Sequence, residues 1–342
     1  MDPLGVGVIG SGFMGRTWAR VATLCEGTEL RAVAGGKRAP GLGADFGVEV
    51  MDSVGALIAR DDVDIVVVTS PPNAHVGQVL AAAENGKHVL VEKPMARDSA
   101  ECVAMIEACE RAGTQLAVVS QHRYRDAPLA AKRLIDEGAI GSVRMVRVSG
   151  LDAWWDMTET HDEWKLDHEQ IRVFADWGAH GCDVLRWFVG SPAVLAYAQY
   201  HTYADQPPPG QSILATYRFA NDVMASVWMT YEVPEPRLGS ALQFLITGSE
   251  GMIDVDAYGA VKLARDGEWS TVFEQVPFDS LDTGSAGRLE AYRRELDDVV
   301  QAVRTGLPAP VSGREGLLTQ RMLDAVELCA QTGIAVDLTE PA

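Results

Sequence analysis

The sequence predicts two domains of different class: an N-terminal α/β domain with a doubly wound parallel sheet, and a C-terminal α+β domain with a large, mainly antiparallel open sheet. The chain has 342 residues, which is more than one hydrophobic core usually supports. Up to residue 122, uniformly apolar runs alternate with helical stretches, as in parallel sheets covered on both faces. From Ala193 to Val276, apolar and polar residues alternate, which is typical of antiparallel strands. We therefore predict a first domain at residues 1–122 and a second domain at residues 123–342.

The elements of the first domain follow from apolar runs and helix stops. The predicted strands are Val6–Ile9, Leu30–Ala34, Ile65–Thr69, His88–Val91 and Gln115–Val119. The predicted helices are Met14–Leu24, Ser53–Ala59, Ala74–Asn85 and Ser99–Ala112. Gly86 and Gly113 directly follow the last two helical stretches, where a glycine commonly ends a helix. A sheet of this class binds its ligands beyond the carboxyl ends of its strands.

The second domain contains helices and amphipathic strands. We predict helices at Ala127–Glu137, Ala179–Val189, Gly284–Thr305 and Gly313–Gly333, and a strand at Arg144–Ser149. The last helices are expected to pack back towards the first domain. In Met224–Tyr231, both alternating sets contain large apolar side chains, although one helical layer can cover only one face of a sheet. The uncovered face predicts a homodimer or homotetramer formed through this sheet.

Composition and charge exclude several classes of partner. The hydrophobic fraction is 47%, the charged fraction is 23%, and the formal net charge is −19. Nucleic acids and anionic membranes attract concentrated Lys and Arg, so neither is expected as a partner. No secretory signal or membrane-spanning stretch is recognisable, and the five cysteines have no CxxC spacing. These features predict reduced, structural cysteines and a cytoplasmic protein.

A glycine-rich turn follows the first predicted strand. The segment is Gly10-Ser11-Gly12-Phe13-Met14-Gly15, and it opens the first helix. The first glycine allows a tight turn, the second allows a pyrophosphate to approach the backbone, and the third allows the helix to pack close to the sheet. The segment predicts a Rossmann-type dinucleotide site that includes these glycines, Phe13 and Met14. The alternative is a turn that serves packing alone.

The end of the second strand bears on the choice of dinucleotide. NAD-dependent domains usually have an acid there, which binds the ribose 2′-hydroxyl. This chain has Ala34-Gly35-Gly36-Lys37-Arg38 instead. Lys37 and Arg38 could pair with the 2′-phosphate of NADP, or they could be solvated loop cations. The cofactor prediction is therefore NADP or NAD, with a slight preference for NADP.

Three further segments resemble one known family. They are Thr69-Ser70-Pro71-Pro72-Asn73-Ala74-His75, Val89-Leu90-Val91-Glu92-Lys93-Pro94 and Asp176-Trp177-Gly178-Ala179-His180-Gly181-Cys182-Asp183. Together they resemble the Gfo/Idh/MocA family, which includes glucose–fructose oxidoreductase and inositol dehydrogenase. The resemblance covers nearly the whole chain in the family's order. It implies an NAD(P)-dependent oxidoreductase that transfers a hydride to or from a sugar, a sugar derivative or a cyclitol.

The resemblance implies that Lys93, Asp176 and His180 are catalytic. Oxidation of an alcohol removes the hydroxyl proton as the hydride leaves, and a neutral imidazole suits that role near pH 7. Asp176 and His180 are spaced i, i+4, so they can share one face of a helix. Lys93 would bind the reacting oxygen, and no metal is needed. Taken singly, such a lysine is more often solvated, and such a histidine is more often structural.

The same resemblance implies further cofactor contacts. Ser70, Pro71, Asn73 and His75 lie in the loop after the third strand, which would flank the nicotinamide half of the cofactor. His75 could equally cap the following helix. Glu92 is expected to face a cofactor ribose, and Gln121 is expected near the nicotinamide.

The expected substrate contacts lie after residue 122. Arg123 and Tyr124 occupy the place of a family Arg-Tyr or Arg-Phe pair near the cleft. Many relatives have a triple glycine before the catalytic aspartate, whereas this chain has larger residues there, including Arg172. Arg172 could bind a substrate carboxylate or hydroxyls, or it could pair with a nearby acid. The aromatic candidates for stacking on a sugar are Trp154, Trp155 and Trp164, each of which could equally fill a core.

Two alternatives to net oxidation or reduction stay open from the sequence. A glycosidase-like or epimerase-like relative would retain NAD and return the hydride. A sensor on the same fold would bind a dinucleotide without turnover, although a sensor has no need of a proton-transferring trio.

Overall fold

The computed structural model describes residues 2–151, 173–203, 212–233 and 241–339. The chain divides into two compact units. The first unit comprises the described residues up to Gln121 together with Phe278–Leu317. The second unit comprises the described residues of 122–277 and those from Leu318 onwards.

The first unit contains a six-stranded parallel sheet. Its strands are β1 Leu4–Ile9, β2 Thr28–Ala34, β3 Glu49–Met51, β4 Ile65–Val68, β5 His88–Val91 and β6 Leu116–Val118. The strand order is β3-β2-β1-β4-β5-β6, which is the doubly wound order of a Rossmann domain. The helices are α1 Phe13–Leu24, α2 Ala39–Phe46, α3 Val54–Ile58, α4 Pro72–Glu84, α5 Ser99–Ala112 and, later in the chain, α8 Ala286–Thr305. Because the order reverses between β1 and β4, their carboxyl ends open the crevice in which such sheets bind ligands.

Burial on both faces explains the uniformly apolar strands of this sheet. All four residues of β4 are fully buried, as expected for a central parallel strand. One face packs in a single cluster with α1 and α8, in which Trp18, Leu296 and Val300 are buried. Helix α8 is therefore part of the first unit, although it lies more than 150 residues after β6 in the chain.

The second unit contains a nine-stranded sheet. Its strands are β7 Val143–Leu151, β8 Ala193–His201, β9 Ser212–Phe219, β10 Met224–Thr230, β11 Leu242–Gly248, β12 Met252–Asp256, β13 Ala260–Arg265, β14 Glu268–Glu274 and β15 Val336–Asp337. The order is β14-β13-β12-β11-β7-β10-β9-β8-β15, and β7 pairs with β10 in parallel. The other strand pairs are antiparallel.

Helices cover one face of this second sheet. They are α6 Asp126–Asp136, α7 Val173–Val189 and the later part of α9 Gly313–Thr332. Helix α7 lies close to the sheet at Gly181, where a Cβ would stand 2.3 Å from the Met229 Cε and 3.4 Å from the Val148 Cγ1. In β10, Val227 and Met229 face this core, whereas Met224 and Trp228 are exposed on the other face.

The predicted fold class is confirmed, and the differences from the predicted elements have local causes. The helix was predicted from Ala179, whereas α7 begins at Val173, and Asp176 and Gly178 in between have low helix propensity. Helix α2 and strand β3 were not predicted. The α2 sequence Ala39–Phe46 contains a proline and two glycines, which are poor helix formers, and β3 is only three residues long. No helix in the described part of the chain is long and apolar enough to cross a membrane.

Candidate active site

The glycine-rich turn between β1 and α1 is tightly closed. Gly10 has a φ of +105°, and a Cβ there would lie 2.4 Å from Thr69 Oγ1. A Cβ on Gly15 would lie 2.1 Å from the Gly10 carbonyl oxygen. A side chain on Gly10 would clash with Thr69 after β4, and a side chain on Gly15 would push α1 away from the turn, which explains both glycines sterically.

Gly12 differs from these glycines because its missing side chain faces open space. A Cβ built on Gly12 meets no atom within 4 Å. Gly12 is also the N-cap of the twelve-residue helix α1, and a glycine has no side chain with which to cap the first N–H groups. An open approach to free N–H groups at the positive end of a helix fits a pyrophosphate. The turn therefore fits a bound dinucleotide.

The loop after β2 lies beside this turn. Gly35 and Gly36 have φ values of 78° and 82°, and the Arg38 backbone N–H donates to Ser11 Oγ at 3.2 Å. Lys37 and Arg38 are exposed, and Arg38 is the N-cap of α2. The loop contains no carboxylate that would repel a 2′-phosphate.

A buried arginine of α8 packs against Phe13 and Met14 of the glycine-rich turn. Arg288 is 1% exposed, and its guanidinium carbon lies 4.6 Å from the Phe13 ring centroid and 4.9 Å from that of Tyr292. Its Nη2 lies 3.8 Å from the Met14 sulfur. Tyr292 in turn packs edge-on against Trp18 of α1, with centroids 5.3 Å apart. No motif pointed to Arg288, because Phe13 and Met14 lie more than 270 residues away in the sequence.

Glu92 does not present its carboxylate to a ribose, in contrast to the expectation from the sequence. It is 6% exposed, and its Oε1 accepts a hydrogen bond from the Trp18 indole N–H at 2.8 Å. Its Oε2 accepts from the Lys93 backbone N–H at 3.2 Å. Burial raises the pKa of Glu92, against the opposing effects of Trp18 and Lys93. Glu92 thus anchors the start of the Lys93 loop to α1.

His75 is likewise enclosed and has no ring atom available to a cofactor, which corrects its predicted contact. It is fully buried in α4. Its Nε2 lies 2.8 Å from the Ser70 carbonyl oxygen, and its Nδ1 lies 3.2 Å from the carbonyl oxygens of Pro94 and Met95. Rather than capping α4, His75 links the loop after β4 to the loop that contains Lys93.

The other predicted residues of the first unit lie at the carboxyl ends of β4, β5 and β6. Ser70 donates to Gln78 Oε1 at 2.7 Å, Pro71 is the N-cap of α4, and Asn73 is exposed in its first turn. Lys93 is partly exposed, before a cis peptide bond to Pro94. Gln121 is 7% exposed, and its Oε1 is buried without a hydrogen-bond partner among the described residues. Its proximity to the nicotinamide stays a prediction.

In the second unit, α7 positions Asp176 and His180 one turn apart. Asp176 is partly exposed, and His180 is 8% exposed. The His180 ring centroid lies 5.9 Å from that of Trp177 and 4.3 Å from that of His122, which belongs to the 3₁₀ helix Gln121–Tyr124. The contact with His122 was not foreseen, since the family pattern drew attention to the two residues that follow it.

Arg123 has a structural partner, which departs from its predicted role at the substrate. Its Nε and Nη2 donate to Asp183 Oδ2 and Oδ1 at 2.8 and 2.5 Å. Both side chains are buried, at 7% and 9% exposure. A bidentate pair of this kind holds the 3₁₀ helix against α7. Tyr124 is partly buried, and its role at the substrate stays a prediction.

The remaining substrate candidates, Trp154, Trp155, Trp164 and Arg172, lie outside the described residues. Within the described ranges, no group of three His, Cys, Asp or Glu side chains is arranged to hold a metal ion.

Comparison with protein families gives two matches along the chain. The family model described as "Oxidoreductase family, NAD-binding Rossmann fold" matches residues 4–120, and the model of the GFO/IDH/MocA C-terminal domain matches residues 129–254. The first match contains all six strands of the parallel sheet, and the second begins within α6 and ends within β12 of the nine-stranded sheet.

Individual relatives match over nearly their whole length. The chain is 26% identical over 346 residues to a D-xylose 1-dehydrogenase (NADP(+)) of Haloferax volcanii, covering 97% of this chain and 99% of that protein. It is 25% identical over 341 residues to an inositol 2-dehydrogenase of Salmonella paratyphi B, covering 96% and 94%. The structure of levoglucosan dehydrogenase in complex with NADH and levoglucosan matches with a TM-score of 0.87, 24% identity and coverage of 99% and 100%. At that identity, the structural match shows a shared fold alone.

Proposed function

The chain belongs to the Gfo/Idh/MocA oxidoreductase family, and we propose that it transfers a hydride between nicotinamide C4 of NAD(P) and a secondary alcohol or ketone carbon of a sugar, a sugar derivative or a cyclitol. The observation that carries this proposal is the family's full set of chemical groups in this chain. An open glycine-rich turn, Lys93 after β5 and the Asp176–His180 pair on α7 are all present. The full-length relatives named for xylose and inositol support a polyhydroxylated substrate.

The proposed roles of the protein groups follow from alcohol chemistry. When bound, the nicotinamide accepts or returns the hydride. His180 takes the proton from the substrate hydroxyl in oxidation and gives it back in reduction. Asp176, one turn earlier on α7, orients the substrate or the imidazole. Lys93 donates a hydrogen bond to the reacting oxygen and stabilises the negative charge that develops there.

The cofactor is proposed to be NADP in preference to NAD. Lys37 and Arg38 are exposed after β2, and that loop has no acid to bind a 2′-hydroxyl. The NADP(+) in the name of the Haloferax volcanii relative agrees with this choice. Gly10, Gly12, Phe13, Met14 and Gly15 are the residues proposed to hold the pyrophosphate.

Two further properties are proposed with it. The exposed face of the nine-stranded sheet is proposed to form a homodimer or homotetramer. A cytoplasmic location is proposed because all five cysteines are free and buried, as is usual for proteins of a reducing compartment.

The test is a cofactor titration followed by a substrate screen. Binding of NADPH and NADH to the purified protein is measured by fluorescence, and sugars and cyclitols are then screened with the oxidised cofactors. A polyol-dependent rise in reduced cofactor is the expected result. Tight cofactor binding without net reduction by any sugar or cyclitol would replace the proposal with a hydride-returning or sensing protein.

His180→Ala is the matched control for the chemistry. It should lower turnover by roughly 10²- to 10⁴-fold, as is typical of the loss of an acid–base group. The affinity for NADPH should be unchanged, because the glycine-rich turn belongs to the first unit and His180 to the second. Wild-type turnover in this variant would contradict the role of His180.

A further inference from the structure

His122 is a buried imidazole that lies directly against His180. It is 1% exposed, and the two ring centroids are 4.3 Å apart with the ring planes tilted by 57°. Both residues belong to the second unit, His122 on the 3₁₀ helix and His180 on α7. Two imidazoles in contact at one site form a pair whose protonation is coupled.

Tyr258 fixes the other side of the His122 ring. The His122 Nε2 lies 3.0 Å from the Tyr258 hydroxyl, and the two rings meet nearly perpendicularly with centroids 5.6 Å apart. The Arg125 guanidinium lies 4.4 Å from the Tyr258 ring centroid. A hydrogen bond at one imidazole nitrogen restricts the orientation of the ring. The His122 ring is therefore held in the position from which it contacts His180.

Charged side chains of the 3₁₀ helix, of its C-terminal flank and of α7 lie around the pair or its immediate partners. Arg125 stacks over the ring of Tyr258 and contributes a positive charge. Asp176 precedes His180 by one turn of α7 and contributes a negative charge. The Arg123–Asp183 pair, which joins the 3₁₀ helix to α7, is neutral overall.

Two positive charges on adjacent buried rings would repel each other strongly, because little water screens them. A second positive charge on the pair is therefore disfavoured. The two rings share at most one positive charge, and while both are neutral His180 can accept a proton and so act as a base.

We propose that His122 is a positioning residue that orients the His180 ring and restricts the two imidazoles to a single positive charge, so that His180 stays neutral and available as the base. This inference rests on the proposed role of His180. In oxidation, the substrate hydroxyl proton moves to His180, and it then leaves to solvent before the next turnover. In reduction, the same proton moves from His180 to the developing alkoxide.

The first test is an NMR titration of the His180 ring in the cofactor-free protein. The His180 signal is identified by its loss in His180→Asn, and the titration is repeated in His122→Phe, which keeps a ring but has no nitrogen. Without the neighbouring imidazole, the midpoint of the His180 titration should move to higher pH by about one unit. His122→Gln, which keeps a hydrogen-bonding group for Tyr258, should give a shift of the same sign. An unchanged midpoint in both variants would overturn the proposal.

A second readout uses the pH profile of kcat/KM. In His122→Phe and His122→Gln, activity should begin to fall at a higher pH than in the wild type as the solution is acidified. Tyr258→Phe retains both imidazoles and should lower kcat while leaving this limb in place. If the acidic limb of the kcat/KM profile shifts as far in Tyr258→Phe as in the His122 variants, the shift is a structural effect, and the proposal is overturned. If the wild type oxidises no sugar or cyclitol, the proposed function fails, whereas the NMR titration still tests the coupling of the pair.

Discussion

His75 and Glu92 are buried ionisable residues that support the loops at the carboxyl edge of the parallel sheet. Burial lowers the pKa of His75 and raises that of Glu92, so in both cases the neutral form is favoured. The hydrogen bonds around each side chain oppose this effect without reversing it. Both residues therefore hold loops together, and because their pKa values are shifted, their contributions to the free energy of unfolding depend on pH.

We expect His75 to make the protein less stable in mild acid. Because its pKa in the folded state lies below the ordinary 6.5, the unfolded chain binds a proton that the folded chain excludes. The resulting stability is fully present above pH 6.5 and is lost as the pH falls from there towards the folded pKa, by up to about 1.4 kcal/mol per pH unit. Urea denaturation between pH 7.5 and 5.5 measures the free energy of unfolding.

The matched variant for that measurement is His75→Gln, which retains a hydrogen-bonding side chain but does not titrate. Burial also lowers the pKa of His88, so part of the pH dependence should persist in the variant. The slope of unfolding free energy against pH should be smaller in His75→Gln than in the wild type. Equal slopes would show that His75 contributes nothing to the pH dependence.

At the scale of elements, α8 completes the first unit. Its Glu295 accepts a hydrogen bond from the Ser120 backbone N–H at 2.5 Å, just after β6, and its Arg288 lies under the glycine-rich turn. Helix α8 thus contacts both the glycine-rich turn and the end of the edge strand β6. Arg288 Nη1 is buried without a hydrogen-bond partner among the described residues, so this support includes an incompletely compensated charge.

Arg288→Met should weaken cofactor binding without lowering the stability of the protein. The substitution removes the cation–π contacts that hold Phe13, worth about 1–2 kcal/mol, so the Kd for NADPH should rise by roughly tenfold. Replacement of a buried, poorly paired charge by an apolar side chain is often neutral or stabilising.

Fluorescence titration and urea denaturation of the Arg288→Met protein measure the two effects. Arg294→Met, which removes a partly exposed arginine from the same helix, is the control and should leave the Kd unchanged. An unchanged Kd together with a large loss of stability in Arg288→Met would mean that Arg288 serves packing alone.

The loop between β2 and α2 should set the preference between the two cofactors. Lys37→Ala should raise the Kd for NADPH by roughly tenfold through loss of a charge-assisted contact with the 2′-phosphate, and should leave the Kd for NADH nearly unchanged. Lys262→Ala, an exposed lysine of β13 in the second unit, controls for net charge. Equal effects of Lys37→Ala on both cofactors would remove Lys37 from the 2′-phosphate site.

At the scale of the whole molecule, the nine-stranded sheet has one covered and one uncovered face. On the uncovered face, Trp228 and Leu214 are paired across β10 and β9, with 46% and 63% of their surface exposed. Met224 and Met145 are paired likewise across β10 and β7. The two apolar pairs are separated by Ser226, which lies between Arg147 and Thr216 of the neighbouring strands. Large apolar side chains exposed on one face of a sheet are a usual mark of an interface between subunits.

Trp228→Glu should therefore dissociate the protein. A carboxylate in the centre of a buried interface has no partner, so the sedimenting species should fall to the mass of a single chain at concentrations at which the wild type is associated. Leu307→Glu changes an exposed leucine after α8 in the first unit, and it should leave the mass unchanged. A monomeric wild type would contradict the predicted assembly outright.

The sequence by itself determined the class and the order of the fold. The apolar runs, the helix stops and the change to alternating strands after residue 122 depend on neighbours within a few residues, so they are visible in one dimension. The glycine-rich turn was predictable for the same reason, since Gly10, Gly12 and Gly15 serve one short backbone segment. Helix α2 and strand β3 were missed because packing on β2, rather than local propensity, stabilises them.

Only the tertiary structure decided which side chains face a ligand and which support those that do. Glu92 and His75 were predicted at the cofactor, but they are directed into the protein, where Trp18 and backbone carbonyls bind them. Arg288 and His122 drew no functional prediction, yet they contact the glycine-rich turn and His180. The physical reason is that burial and contact arise from residues far apart in the chain, and no local pattern records those partners.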